Sequence, residues 1–155
     1  RRLGNILFDT GYSDAIYQGG LLHKLYLLLN PVHVRPEQVI DKRLIADGIS
    51  PESIGTIILS HAHPDHIGGL KKFSGYRLVA SAGTMKTLDK PGLRDLVFTE
   101  MLPGERDGVS RLEPENRLTG HFLCRYFEEV YDLFGDGSLI GAALHGHCTD
   151  SGYPI

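Results

Sequence analysis

The chain is expected to be an α/β protein, and three stretches carry that expectation. Residues 36–48 read as a helix, and after a short loop residues 54–59 read as an apolar, β-branched strand. That order makes half of an α/β unit. Residues 130–134 and 138–144 are apolar runs flanking Gly135-Asp136-Gly137, and Asp-Gly between such runs signals a hairpin. The strand at 54–59 empties into a cluster of histidines, and loops at strand ends are where α/β proteins place their chemistry.

Each element follows from its own residues. Gly4 to Gly11 reads as a short buried strand ending in a polar turn. Gly19-Gly20 breaks the chain before the apolar run 21–29, whose periodicity does not separate helix from strand. Pro36 suits a first helical turn, and Glu37 suits its positive end. Ile40 and Leu44 share a face there, with Gly48 as the stop. Residues 68–73 read as a short helix and 76–81 as a strand. From 83 to 117 the pattern is mixed, punctuated by Pro91, Pro103 and Pro114, with 93–102 the best helical candidate. It reads as a lid-like or connecting insertion. The second hairpin strand delivers the chain to His145-Gly146-His147.

Bulk properties bound the function. A length of 155 residues with 41% hydrophobic content supports one domain, 1–155, with a real core. A net charge of −3 argues against nucleic-acid binding through a broad basic surface. Two cysteines, Cys124 and Cys148, do not make a disulfide framework. The run from Leu25 to Leu29 is too short to span a bilayer, and no signal peptide is visible after Arg1. The expectation is a cytoplasmic protein with a small-molecule substrate and neither a nucleic-acid nor a membrane partner.

The chemistry concentrates in Ser60-His61-Ala62-His63-Pro64-Asp65-His66. Neutral imidazoles and a carboxylate are good ligands for zinc and similar divalent ions. His61 and His63 are two apart, so extended backbone aims both the same way. Pro64 bends the segment and redirects Asp65 and His66. One tight loop can therefore supply ligands on two sides of a small cavity, enough to start a two-metal site. A polar loop with coincidental histidines is the competing reading, and the strand-end location weighs against it.

This segment, followed by Gly68-Gly69, resembles the H-x-H-x-D-H signature of the metallo-β-lactamase superfamily. Asp9-Thr10-Gly11 resembles that family's first motif. Residues 47–51 leading into Ile57-Ile58-Leu59-Ser60 resemble its lead-in, and Gly146-His147 resembles its third motif. The resemblance implies a metallo-β-lactamase-like αββα sandwich and a metal-dependent hydrolase. Its substrate would be a small ester, lactone or thioester. By the same resemblance His61, His63 and His147 hold one ion, Asp65 and His66 begin a second site, and Asp9 braces the ligand loop. Asp65 is also the carboxylate given a catalytic role. One or two zinc ions are expected, with iron or manganese able to use the same ligands.

The pattern also departs from the family. No histidine follows His147, and Asp150 lies too close to it for the family's bridging aspartate. The chain therefore reads as a C-terminally truncated member, a partial sandwich. An isolated chain of this kind is expected to be marginal in stability or poorly active. His145 is a substitute candidate for His147, and Cys148 reads as a small buried side chain. His23, His33 and His121 read as surface or satisfied core residues, and Tyr126, Phe127 and Tyr131 as core or pocket filling. His63 argues against a flavo-di-iron protein, which carries an acidic residue there. Two alternatives stay open: an iron-dependent persulfide dioxygenase of the same fold, and a non-catalytic fragment. Substrate choice is assigned to segments 21–29 and 83–117.

Overall fold

A computed structural model describes residues 4–91, 95–104, 110–112 and 116–144. Four strands lie side by side in chain order, all parallel: β1 (Asn5–Phe8), β2 (Ile54–Ile58), β3 (Arg77–Val79) and β4 (Ser110–Leu112). Leu7 pairs with Ile57, and Ile57 with Leu78. Parallel neighbours require crossovers, and helices supply them. Between β1 and β2 run α1 (Leu21–Leu29) and α2 (Ile40–Ala46); α3 (Pro64–Ile67) and α4 (Ala82–Asp89) serve the next two crossovers.

All four helices lie on one face of the sheet. Tyr26 and Leu27 of α1, Ile40 and Leu44 of α2, Ile67 of α3, and Met85 and Leu88 of α4 share one core with Leu7, Ile57 and Leu78. Side chains alternate across a strand, so the next residues face the other way. There Ile58 and Val79 pack against Tyr131 and Leu133, carried by an antiparallel hairpin of β5 (Val130–Asp132) and β6 (Ile140–Ala142). The described residues thus form a helix layer and two sheet layers, three of the four layers of the expected sandwich.

Local chemistry explains the element boundaries. The ambiguous run 21–29 is helical because His23, Tyr26 and Leu27 turn inward at helical spacing, while Leu21, Leu25, Leu28 and Leu29 are exposed. The helix expected from Pro36 begins only at Ile40. Pro36–Gln38 forms a 3-10 turn, and Val39, with φ −65° and ψ 139°, is extended and interrupts it. Gly48 adopts φ 77°, the left-handed stop expected there.

One expectation for the 83–117 stretch is corrected. Its described residues 95–102 hold no α-helix; Asp95 and Thr99–Met101 are in 3-10 conformation. Leu96 takes φ 52°, and Val97, Phe98, Met101 and Leu102 are all buried, so the apolar run fills the core as irregular chain. The helix lies earlier, at α4, capped by Ser81, whose side chain accepts from the Thr84 amide. Of the two readings of the stretch, lid-like or connecting, the described residues fit the connecting one: α4 packs into the core and β4 pairs with β3.

Candidate metal centre

The site forms where β1 and β2 end. Parallel strands put their carboxyl ends on one side, where ligands of α/β proteins collect. β1 delivers Asp9, whose amide still donates to the Ile58 carbonyl (2.8 Å) before the chain swings away at φ 53°. Aspartate is among the few residues that enter this left-handed region readily. β2 delivers Ser60 and His61, and His63 caps α3, whose first turn contains Asp65 and His66.

Asp9 ties these pieces together. Its Oδ1 accepts from the Ser60 amide (2.9 Å), while its Oδ2 accepts from Ser60 Oγ (2.8 Å) and from His66 Nδ1 (2.7 Å). With the Ser60 proton committed to Asp9, His61 Nδ1 is left to donate to Ser60 Oγ (3.0 Å). Both imidazoles thereby carry a proton on Nδ1 and turn Nε2 toward the opposite side.

On that side the candidate ligands fall into two pairs. His61 Nε2 and His63 Nδ1 are 3.1 Å apart, and Asp65 Oδ2 and His66 Nε2 are 3.2 Å apart. Neighbouring ligands on a tetrahedral zinc stand about 3.3 Å apart, given metal–nitrogen bonds near 2.0–2.1 Å. Both pairs fit that edge. The rings of His61 and His66 are 3.9 Å apart between centroids, so the pairs adjoin. Among the described residues no group of three or more His, Cys, Asp and Glu is arranged to hold one ion. His147, with His145 and Cys148, lies outside the described residues.

Electrostatics follow the same geometry. Burial pulls the His66 imidazolium down, but hydrogen bonds and charge from Asp65 and Asp9 outweigh it and push its pKa up to about 9. The His66 hydrogen bond holds the Asp65 carboxyl below its ordinary value, against the opposing effect of burial. His66 therefore bridges two carboxylates.

The back of the loop is stitched to the first motif. Thr10 donates to the His66 carbonyl through its amide (2.8 Å) and its hydroxyl (2.7 Å), and the same hydroxyl accepts from the Gly69 amide (3.1 Å). The two glycines are required by contact. A Cβ on Gly68 would stand 2.7 Å from the Gly11 carbonyl oxygen, and one on Gly69 would stand 2.6 Å from that of Thr10.

Beside the pairs opens a cleft of about 540 Å³. One wall is Leu7, Phe8 and the loop 9–12, and the other is Val32, His33, Val34, Gln38 and Ile40, with Asp65 and His66 beside them. Of the residues singled out from sequence, His61, His63, Asp65, His66 and Asp9 come together. Sequence reasoning missed the roles of Ser60 and Thr10, although both stand inside quoted motifs. Tyr12 was missed too, one residue beyond Asp9-Thr10-Gly11.

A histidine-aspartate loop at the strand ends of a helix-backed sheet, faced by a second sheet, is the arrangement that the sequence resemblance implies. The sequence pattern of the metallo-beta-lactamase superfamily matches residues 3–153, and the chain belongs to that superfamily. Over 76 residues, 48% of this chain, it is 34% identical to N-acyl homoserine lactonase AiiB from Agrobacterium fabrum, and the match spans 28% of the lactonase. Solved structures share the fold. One is an N-acyl homoserine lactone hydrolase with the product N-hexanoyl-L-homoserine at its catalytic metal centre (TM-score 0.51, 24% identity, 78% of this chain and 47% of that one). Another is a probable metal-dependent hydrolase from Staphylococcus aureus (TM-score 0.57, 14% identity, 96% and 48%). This chain spans about half the length of these structures.

Proposed function

We propose that this chain carries the metal-binding half of a lactone hydrolase, with His61, His63, Asp65 and His66 as ligands and His147 completing the first set. The carrying observation is the pair of ligand pairs, 3.1 Å and 3.2 Å across, braced from behind by Asp9. Zinc suits this mixture of imidazole and carboxylate, and when bound it supplies a Lewis acid and lowers the pKa of water. The protein's own groups do the rest. Asp9 and Ser60 fix the ring tautomers. Asp65, kept ionised and half open to the cleft, is placed to take up the proton that water sheds as it adds to the acyl carbon. The ring C–O bond then breaks, and the proton passes to the departing oxygen to give the hydroxy acid.

The similarity to N-acyl homoserine lactonases supports the lactone among the candidate substrates. Titrating the acid released from N-hexanoyl homoserine lactone by the zinc-loaded chain tests the reading. Ring opening above a zinc-only blank is expected, falling at least about 100-fold in His61→Ala. A rate equal to the blank would refute it.

A further inference from the structure

Tyr12 lies on the cleft wall, yet neither the ligand pairs nor their brace uses it. Its hydroxyl is 2.8 Å from the hydroxyl of Tyr26, and either can donate to the other. Two hydroxyls hold two protons, and their mutual bond consumes one. Tyr26 is the anchored member: it packs against the helix-side core and stands edge-on to Phe98, 5.3 Å between centroids. Tyr12 is the member facing the cleft, and the charge of Asp65 reaches its phenol. In the arrangement in which Tyr26 donates, the Tyr12 proton is free to turn toward the cleft. Burial, the Tyr26 bond and the Asp65 charge all push the Tyr12 pKa up, so it is a neutral donor and not a base.

The surroundings say what the proton meets. Leu7, Phe8, Val32, Val34 and Ile40 make the walls mainly apolar, and no lysine or arginine is among the described lining residues. Such walls suit a neutral, apolar chain. Tyr12 lines the same cleft as these walls and as Asp65 and His66, within reach of a polar group that joins an apolar tail to a reacting ring.

Resting on the lactone reading above, we propose that Tyr12, oriented by Tyr26, is a positioning residue that donates a hydrogen bond to the amide carbonyl of an N-acylated lactone whose tail lies in this cleft. The test is binding without turnover, in the metal-free chain under chelator, by NMR titration with two probes. N-decanoyl homoserine lactone carries the amide, and γ-decalactone has a ring and tail without it. Tyr12→Phe is expected to weaken the first about fivefold and leave the second unchanged, and Tyr26→Phe to weaken the first about twofold. Thermal melts establish that each variant folds. Equal binding of both probes by wild type and Tyr12→Phe would overturn the proposal. So would equal loss of both, or no binding of the amide probe by the wild type. The zinc-dependent hydrolysis assay reports separately. A chain that shows the Tyr12 discrimination but never opens a ring refutes the hydrolase reading and not this one.

Discussion

Asp9 accepts three hydrogen bonds from two residues of the ligand segment, so one side chain sets the direction of two imidazoles. Partners of this kind typically contribute a factor of about 10–100 in metal affinity. Asp9→Ala is therefore expected to weaken zinc by about that factor while the chain still folds, read by competition with a chromophoric chelator. Unchanged affinity would mean that the loop is ordered by other contacts. Gly69 makes a different point. A methyl there would meet the Thr10 carbonyl oxygen at 2.6 Å and Ile40 Cγ2 at 2.7 Å, and backbone cannot step aside cheaply. Gly69→Ala is expected to cost about 1–3 kcal/mol by urea denaturation. At this scale the candidate ligands were legible in sequence because histidine spacing and Pro64 dictate local geometry. Tyr12 was not, since its partner Tyr26 lies on a helix fourteen residues away, and only folding brings the hydroxyls together.

At the scale of elements, α1 is held by His23, which is buried and hydrogen-bonded, the satisfied-core alternative of its sequence reading. Its ring lies against Phe98, 3.8 Å between centroids and tilted by 44°, and its Nε2 lies 3.3 Å from the Glu100 carboxylate. That bond ties α1 to the irregular 95–104 segment. The ring rests on Gly19, where a Cβ would fall 2.0 Å from its Cγ. Gly19→Ala is expected to expel the ring, and faster amide exchange across α1 would reveal it; exchange as in the wild type would count against this anchoring. α4 escaped the sequence reading because Ala82–Asp89 buries only Thr84, Met85 and Leu88, too sparse a stripe for periodicity to register. Residues 93–102 attracted it for the converse reason, being apolar without a single face. The hairpin was legible because Gly135 and Gly137, at φ 74° and 75°, meet a demand of the turn itself.

Across the whole molecule, the sheet divides two environments. The helix side is a continuous core that includes Tyr76, 2% exposed, whose phenol burial pushes up to about 12. A phenol with its folded pKa raised keeps its proton while the unfolded chain loses it. Its stabilisation is thus complete below pH 10 and lost as pH rises from 10 toward 12. Urea midpoints across that window are expected to fall for the wild type and to fall less for Tyr76→Phe. The hairpin side covers Ile58 and Val79 but leaves Ile6 and Phe8 of β1 43% and 48% exposed. The α/β class was legible from strand and helix patterns, whereas the pairing of β4 with β3 depends on register between distant segments that no local pattern encodes. The central claim is that the loop from His61 to His66 holds a divalent ion, and anomalous diffraction from zinc-soaked crystals tests it directly. A peak about 2.0–2.1 Å from both His61 Nε2 and His63 Nδ1 is expected. Zinc bound elsewhere with that pair still hydrogen-bonded, or no peak at all, would contradict it.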